Sequence, residues 1–254
     1  MPRKVAIAAA ALLAAAAIMA GYTLLKPPEQ VVLYFQPKLG ARYKYSFVAQ
    51  VEMLGVKQTT KGSLELEVVS SSSGASTLRL RLLSKAGARE VLLRVDREGR
   101  VLEVLEGEGE LARILESAAG IGEEVRVYGR RLVEGDSWSS PFEAVIAAAP
   151  GFNMSASGIV EVRVAGVYSV STPVGRLRCV RIEVYGRNLT MEFISPFEKG
   201  GGSFSLKSVA YYDLQTGVLV SSETTASYTF IAGGGVAKAK YTQATRLKAV
   251  EGVW

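Results

Sequence analysis

Residues 42–53 read RYKYSFVAQVEM, and this stretch decides the fold class because apolar and polar side chains alternate along it. Tyr43 and Tyr45 fall on one side of an extended chain, whereas Lys44 and Ser46 fall on the other. A period of two over this length predicts a β-strand with one buried face and one wet face. Later stretches repeat the pattern, and their apolar members are Leu64, Leu66 and Val68; Leu78, Leu80 and Leu82; Val160, Val162 and Val164; Phe204, Leu206, Ala210 and Tyr212; and Val218, Val220, Ala226, Tyr228 and Phe230.

The number and length of these stretches predict a mainly β chain. We expect a large curved antiparallel sheet, half-barrel-like in shape, because an antiparallel sheet can bury one face and leave the other in water. Turn-forming residues at Asp96–Gly99 and Leu214–Gly217 predict two tight connections between strands. Clusters of serine and glycine at Ser70–Gly74, Gly200–Gly202 and Gly233–Gly235 predict longer loops.

The alternation changes phase at Cys179 and Val180. Leu177 and Cys179 belong to one register, whereas Val180 and Ile182 belong to the other. Two structures explain such a change: a β-bulge, or a strand that is covered on both faces.

One segment departs from the strand pattern and predicts a single short helix packed on the concave apolar face of the sheet. Its apolar residues recur at helical spacing; they are Leu111, Ile114, Leu115 and Ala118. Acidic residues near its start suit the helix dipole; they are Glu106, Glu108 and Glu110. Gly120 can end the helix in the left-handed conformation.

The N-terminus predicts a membrane-spanning helix. Val5 to Leu25 contains no charged residue, and its twenty-one residues at ~1.5 Å rise form a helix of about 31 Å, close to a ~30 Å hydrocarbon core. Arg3 and Lys4 precede it, so the positive-inside rule places the N-terminus in the cytoplasm and the residues after Lys26 outside the cell membrane.

Two fates of this segment are open. Its apolar run exceeds the about 7–15 residues of a signal peptide, which favours an uncleaved signal anchor, although a signal peptidase could act after Ala15-Ala16-Ala17. No cysteine lies near residue 20, so a lipobox is excluded. We therefore expect an anchor over residues 1–26, a spacer over 27–30 and one extracytoplasmic β-rich domain over 31–254.

Composition excludes several classes of site. The chain has no histidine and a single cysteine, Cys179, so it contains no Ser-His-Asp or Cys-His centre, no histidine metal site and no intrachain disulfide. Three of its 30 lysines and arginines flank the apolar segment, which leaves 27 against 24 acids for the rest of the chain. That balance argues against a nucleic-acid partner. Few Asp and Asn beside many Glu are compatible with a thermophilic, archaeal source.

Other residues admit a functional interpretation and a structural one. The acids Glu103, Glu106, Glu108 and Glu110 could bind Ca²⁺, but a helix N-terminus explains them better. The arginines Arg176, Arg178, Arg181 and Arg187 could form a basic stripe for anionic lipid or polysaccharide, but strand arginines are typical of a wet face. Cys179 is expected to be a small buried residue.

Asn153 and Asn188 begin N-glycosylation sequons, and the exported topology makes both candidate glycan sites. No pair among the 24 carboxylates is marked as the acid and base of a glycosidase. We expect no catalytic residue, no cofactor and no metal.

Three short motifs carry a family resemblance. Gly135-Asp136-Ser137-Trp138, then Thr172-Pro173-Val174-Gly175 with Cys179, then Tyr211-Tyr212-Asp213 with Thr216-Gly217, resemble exported prokaryotic β-domains without a characterised function. Those domains are similar to the lipoprotein-localisation (Lol-type) superfamily. The resemblance spans residues 39–248 and implies an antiparallel half-barrel around a helix, in some members with acyl chains in the concave face.

Three functions follow as hypotheses. The first is a non-catalytic, membrane-anchored domain that binds or scaffolds a protein partner at the cell envelope. The second is binding of a lipid or another hydrophobic ligand in the concave face. The third is a carboxylate-based hydrolase of envelope polymers, although we expect the chain not to be an enzyme.

Overall fold

The computed structural model describes residues 29–72, 74–84, 87–107, 127–149, 152–194, 199–232 and 235–252. These residues form β-strands, turns and loops, which confirms the mainly β prediction. None of them belongs to a helix long and apolar enough to cross a membrane. The predicted anchor over Val5 to Leu25 and the predicted helical stripe from Leu111 to Ala118 lie outside the described residues.

The described residues form thirteen strands, numbered here in chain order. They are β1 (Gln30–Val32), β2 (Arg42–Met53), β3 (Val56–Ser72), β4 (Ala75–Ser84), β5 (Gly87–Asp96), β6 (Val101–Glu106), β7 (Arg131–Val133), β8 (Ser137–Ala149), β9 (Phe152–Thr172), β10 (Gly175–Ile194), β11 (Lys199–Asp213), β12 (Leu219–Ala232) and β13 (Gly235–Glu251).

Eleven of these strands make one antiparallel sheet in the order β6-β5-β4-β3-β2-β13-β12-β11-β10-β9-β8. Neighbours are consecutive in sequence except at the centre, where β2 pairs with β13 from Arg42↔Glu251 to Met53↔Ala239. Strands β1 and β7 form a separate two-stranded sheet. The predicted large antiparallel sheet is therefore confirmed.

Two hydrogen bonds show that the large sheet is strongly curved. The Phe35 amide donates to the Arg97 carbonyl, in the turn after β5, and the neighbouring Gln36 amide donates to the Thr216 carbonyl, in the turn before β12. Strands β5 and β12 are five intervals apart in the sheet, about 24 Å if the sheet were flat. Adjacent Cα atoms are only about 3.8 Å apart, so curvature must bring the two turns together.

The inner face of the curved sheet carries the core. Buried apolar side chains from β2 to β5 and from β9 to β12 belong to one cluster with residues of the β1 and β7 segments. Leu33, Phe35, Val127, Tyr128 and Leu132 are the cluster members that come from the β1 and β7 segments. The two-stranded sheet and its flanking residues therefore pack on the inner face.

We name the two ends of the sheet by their packing. The closed end carries the turns at residues 97–100 and 214–218, against which residues 33–36 are hydrogen bonded. The open end is opposite and carries the turn at residues 54–55. On β2, Tyr43 and Tyr45 near the closed end are buried, whereas Val51 and Met53 near the open end are exposed.

Several local predictions are wrong. Glu106 is the last residue of β6 and does not begin a helix. Residues 70–72 belong to β3 and residues 200–202 to β11, so these segments are strands where loops were expected. Glycine suits the last of these because a Cβ at Gly202 would collide with the backbone of Thr229 on the neighbouring strand.

The phase change near Cys179 is explained by the second expected alternative, a strand that is covered on both faces. Cys179 and Val180 point to opposite faces, and both are fully buried. Residues 170–173, at the tip of the β9–β10 hairpin, share a groove with Arg246 and Lys248 of β13, so the tip lies over the outer face. A bulge is present nearby, but it lies in the neighbouring strand β9, where Ala165 is the extra residue opposite the step from Arg181 to Ile182. The pairing of β10 with β11 is regular from Cys179 to Gly186, so the bulge does not shift the phase of β10.

Candidate functional site

The inner face at the open end carries a row of aromatic rings that we call the aromatic strip: Phe142, Phe204, Tyr228 and Phe230. Phe142 meets Phe204 edge-on at 6.0 Å, Phe204 stacks on Tyr228 at 5.3 Å, and Tyr228 stacks on Phe230 at 5.8 Å between ring centroids. Strands β8, β11 and β12 supply the rings. Phe204 is buried and the other three are half-buried, so the strip is a partly accessible apolar surface.

A row of uncharged polar side chains, which we call the polar band, lies between the aromatic strip and the closed end. Ser208, Thr224 and Gln243 pair in register across β11, β12 and β13. The Ser208 and Thr224 hydroxyls are 2.8 Å apart. The Gln243 Nε2 donates to the Thr245 hydroxyl at 3.3 Å, and the Tyr241 hydroxyl donates to the Gln243 Oε1.

Charge is segregated between the two faces around the polar band. The register gives β2, β11, β12 and β13 no Lys, Arg, Asp or Glu at the inner positions that the structure describes. The outer positions of the same strands include Lys44, Lys207, Glu223, Lys240 and Arg246. The inner face of these four strands is therefore an uncharged surface with hydrogen-bonding groups beside apolar rings. On β8, by contrast, the Arg130 guanidinium lies 4.4 Å from the centroid of the Trp138 ring.

The outer face is stabilised by a ladder of ion pairs on β2 to β5. Glu67 pairs with Arg42 at 3.0 Å and with Arg79 at 3.1 Å. Glu90 pairs with Arg79 at 3.1 Å and with Arg81 at 2.7 Å. The hydrogen bond from Arg42 holds the pKa of Glu67 below its ordinary value. These charges are satisfied by each other, so the ladder is structural.

Two buried donors on the inner face have no hydrogen-bond partner among the described residues: the Tyr45 hydroxyl and the Trp138 Nε1. Trp138 belongs to the same cross-strand row as the polar band, through Val162, Val184 and Ser208. Burial raises the pKa of Tyr45 well above its ordinary value, so this phenol stays protonated. Both groups are able to donate a hydrogen bond to an acceptor.

The closed end of the inner face is already filled. The Tyr128 ring lies edge-on to Phe35 and to Tyr212, with centroids 5.9 Å apart in both pairs. The Tyr128 hydroxyl donates to the Gly217 carbonyl at 2.8 Å. A ligand on the inner face is therefore restricted to the aromatic strip and the polar band.

The resemblance motifs lie in turns at the closed end. The Asp213 carboxylate accepts from the Thr216 amide at 3.0 Å and from its hydroxyl at 2.6 Å. The Asp136 carboxylate accepts from the Val133 amide at 3.0 Å, and the Thr172 hydroxyl donates to the Gly175 carbonyl at 2.8 Å. These are local side-chain to backbone turns, so Asp136, Thr172 and Asp213 position the strands that follow them.

A second depression, about 500 Å³ in volume, lies on the outer face beneath the β9–β10 hairpin tip. Arg181 reaches it, with its guanidinium 5.9 Å from the rings of Tyr168 and Tyr211. Glu183 neutralises Arg181 at 2.5 Å and accepts from the Tyr185 hydroxyl at 2.8 Å. The cation is thus internally paired.

The four arginines that could have formed a basic stripe do not lie on one surface. Arg178 pairs with Glu29, next to β1, whereas Arg181 lies in the outer depression. Arg176 and Arg187 are exposed near the hairpin tip and at the irregularity of β10. The wet-face interpretation fits Arg176 and Arg187 better than a shared binding role.

Cys179 is buried as predicted. Burial, with a smaller contribution from the Asp213 carboxylate, raises the pKa of its thiol to about 12. A thiol of this kind stays protonated and is a poor nucleophile at neutral pH.

The two sequon asparagines lie on different strands. Asn188 is exposed in the left-handed conformation, with φ of 53°, where the pairing of β10 shifts. The hydroxyl of its sequon partner Thr190 donates to the Ser157 carbonyl at 3.1 Å. Asn153 lies near the start of β9, opposite Ala147 in the pairing with β8. Glycosylation of either residue stays a prediction.

The acidic run is divided by the fold. Glu103 and Glu106 are exposed on the edge strand β6, whereas Glu108 and Glu110 lie outside the described residues. Among the residues that the structure describes, no three acids or cysteines come together as a metal site.

Sequence reasoning missed the polar band. Residues 235–251 alternate between basic and small or neutral side chains, so neither face has a strong apolar signal. The polar residues Gln243 and Thr245 interrupt what would otherwise be an apolar face. Only the register with β12 and β2 shows that they lie inside the curved sheet.

Comparison with known proteins does not assign the chain to a family. No family model and no curated protein matches the chain. A predicted exported protein with a YmcC-like fold from Bacteroides fragilis is 12% identical, with a TM-score of 0.36 over 87% of this chain and 99% of that one. A predicted lipoprotein from Parabacteroides distasonis is 14% identical, with the same TM-score and coverage.

The hypothetical lipoprotein YmcC from Escherichia coli is 12% identical, with a TM-score of 0.25 over 78% of this chain and 85% of that one. At these TM-scores the similarities carry no argument about function. The Lol-type resemblance and the thermophilic, archaeal source stay predictions.

Proposed function

We propose that this chain is a non-catalytic envelope protein, displayed outside the cell membrane, that binds the acyl chain of a lipid on the inner face at the open end. The observation that carries the proposal is the aromatic strip, a row of partly accessible rings on an uncharged face. Acyl chains bind to such surfaces because apolar area leaves water without any charge being desolvated.

The difference between the two ends supports this choice. At the closed end, Phe35 and Tyr128 fill the interior of the sheet as an ordinary hydrophobic core. The open end leaves Tyr228, Phe230 and Tyr241 half-buried on the same continuous face. Monomeric proteins rarely expose a contiguous apolar surface that has no binding role.

The expected membrane tether supports the proposal that the ligand is a lipid. The uncharged segment from Val5 to Leu25 would hold the domain near the outer surface of the membrane, where lipid is the most abundant apolar ligand. Protein-partner binding, the first function expected from the sequence, and envelope hydrolysis stay predictions.

Photo-crosslinking tests the proposal. The full chain is reconstituted into phosphatidylcholine vesicles that contain a diacylglycerol with a diazirine in one acyl chain. After irradiation, we expect the crosslinked peptides to come from β11 to β13 and to include Phe204, Tyr228 or Phe230.

Two alanine-to-lysine variants on β13 provide the matched comparison. Ala239→Lys places an ammonium on the inner face, opposite Tyr228, and Ala244→Lys places one on the outer face, opposite Glu223. Inner-face crosslinking should fall about tenfold or more in the first variant, since a nearby charge must be desolvated by the acyl chain, and stay unchanged in the second. Circular dichroism checks that both variants fold. Crosslinks only to outer-face or N-terminal peptides would refute the proposal.

A further inference from the structure

We infer that the ligand of the inner face is an uncharged acyl ester or amide whose carbonyl group lies in the polar band while its chain lies on the aromatic strip. This inference rests on the proposed function and names its ligand class. Such a site would bind acylglycerols and similar neutral lipids in preference to lipids whose charged group would have to enter the concave face.

The distribution of charge excludes an ionic head group from the inner positions around Gln243. The inner positions of β2, β11, β12 and β13 offer no cation to a phosphate or sulfate and no acid to an amine, among the residues that the structure describes. An ion moved from water to that surface would lose its hydration without an opposite charge to replace it. A neutral polar group avoids this cost.

The hydrogen-bonding groups of the polar band match a carbonyl oxygen. The Gln243 amide uses its oxygen to accept from Tyr241 and one N–H to donate to Thr245. Its second N–H is used by no described residue and can donate to an ester oxygen. Gln243 is half-buried, so it is accessible from the open end.

Two other buried donors on the inner face are not part of the ester site. The Tyr45 hydroxyl belongs to the filled closed end, where Tyr45 is only 1% exposed. Trp138 Nε1 lies five strand intervals from Gln243 along the cross-strand row, and the Arg130 guanidinium lies 4.4 Å from the centroid of its ring. The donor that the ester meets at the polar band is therefore the second N–H of Gln243.

The aromatic strip begins next to the polar band. Gln243 lies four residues from Ala239 along β13, and Ala239 is opposite Tyr228, a separation of about 14 Å at ~3.4 Å per residue. A long acyl chain spans that distance. A lipid with its carbonyl at Gln243 therefore has its chain on Tyr228 and Phe230, pointing to the open end.

Competition in the crosslinking assay tests the inference. Three unlabelled competitors each have an unbranched eighteen-carbon chain and differ in their head: monoolein has a neutral ester, oleyl sulfate has a permanent charge, and 1-octadecene has no polar group. Each is added to the vesicles containing the full chain and the diazirine lipid, and the mole fraction that halves inner-face crosslinking is measured. We expect monoolein to act at about a tenfold lower mole fraction than either other competitor, as one or two added hydrogen bonds allow.

Two glutamine-to-leucine variants separate the polar band from the rest of the sheet. Gln243→Leu should raise the monoolein requirement about three- to tenfold and leave that of 1-octadecene unchanged. Gln50→Leu, on the outer positions of β2, should change neither.

The outcomes distinguish failure of the inferred ester site from failure of the proposed acyl-chain binding. Equal competition by the three compounds, or equal effects of Gln243→Leu and Gln50→Leu, would overturn the inference while the proposed acyl-chain binding stands. A Gln243→Leu effect of equal size on 1-octadecene would show a merely structural role and would also overturn it. Absence of inner-face crosslinks would refute the proposed function and this inference together.

Discussion

Strand β3 runs the length of the sheet, and its two halves differ sharply in burial. Leu64, Leu66 and Val68 near the closed end are at most 1% exposed, whereas Val56 at the open end is 71% exposed. Strand β2 shows the same change between Tyr45 and Met53. One continuous strand therefore serves as core in one half and as an accessible surface in the other, without any change in secondary structure.

The cause of the difference lies in what covers the inner face. At the closed end, residues 33–36 and Tyr128 are hydrogen bonded to two turns of the large sheet and fill its interior. At the open end, the described residues leave Tyr228, Phe230 and Tyr241 half-buried. The comparison predicts that stability depends on the closed end and that binding depends on the open end.

The largest effect is expected for a substitution of glycine at the closed end. Gly217 has a φ of 69°, and a Cβ there would collide with the Tyr34 carbonyl. Gly217→Ala should lower the free energy of unfolding by about 4 kcal/mol, because left-handed strain and a backbone clash add. Guanidinium unfolding of the full chain in detergent micelles, followed by far-UV circular dichroism, measures the change.

Gly55 in the open-end turn is the matched control. Its φ is 79°, but no atom lies within 4 Å of a Cβ built there. Gly55→Ala should cost only about 1 kcal/mol, the strain of one left-handed residue. Equal losses at Gly55 and Gly217 would contradict the proposed difference between the two ends.

Truncation of core side chains is expected to rank next. Leu66, with no exposed surface, should lose about 3 kcal/mol of unfolding free energy in Leu66→Ala, through lost burial and a cavity. Val51, which is 43% exposed, should lose about 0.5 kcal/mol in Val51→Ala. The same unfolding measurement applies. A large loss at Val51 would show that the open end is also part of the stability core.

A smaller effect is expected for the turn at Asp213. Asp213→Ala removes the acceptor for the Thr216 amide and hydroxyl, which should cost about 1.5 kcal/mol. Glu143→Ala, which changes an exposed acid on β8, should change the unfolding free energy by less than about 0.5 kcal/mol. Thermal unfolding compares the two variants. A similar fall in Tm for both would refute a specific role for the turn.

The smallest effect concerns the outer ladder and depends on pH. The pKa of Glu67 is lowered in the folded protein by its bond to Arg42, so its carboxylate stabilises the fold fully above its unfolded pKa. That stabilisation is lost as pH falls through the folded pKa. Glu67→Gln should therefore cost less than about 1 kcal/mol at neutral pH, since the pair is partly exposed.

The cost of Glu67→Gln should vanish on acidification. Urea unfolding of the wild type and the variant, from pH 7 downward, should show two stability curves that converge below the ordinary carboxyl range of about 4. A difference between the curves that persists in acid would assign the loss to packing instead of charge.

The sequence predicted those features of the fold that depend on neighbouring residues. The alternation at Tyr43 and Tyr45 identified side chains of the inner face, and Asp96 and Asp213 were correctly expected in turns. It failed at residues 200–202, because a glycine cluster suits both a loop and a strand that approaches its neighbour closely. Propensity cannot distinguish the two when packing decides.

Features set by long-range contacts were not predictable. The filling of the closed end depends on residues 33–36 meeting turns that are far away in the chain. The polar band at Gln243 depends on register across four strands, and β13 has no clear apolar alternation of its own. The candidate site could therefore be proposed as a concave face, but its residues could not be named.

The pairing of β2 with β13 has a consequence for how the chain folds. Strands β2 to β6 and strands β8 to β13 are two meanders, each built from neighbours in sequence, and the β2–β13 pair is the junction between them. Arg42 and Glu251 are partners in that junction, so it cannot form before the last strand is synthesised. Each meander can assemble early, whereas the curved sheet is completed late and slowly, because closing such a long loop costs chain entropy.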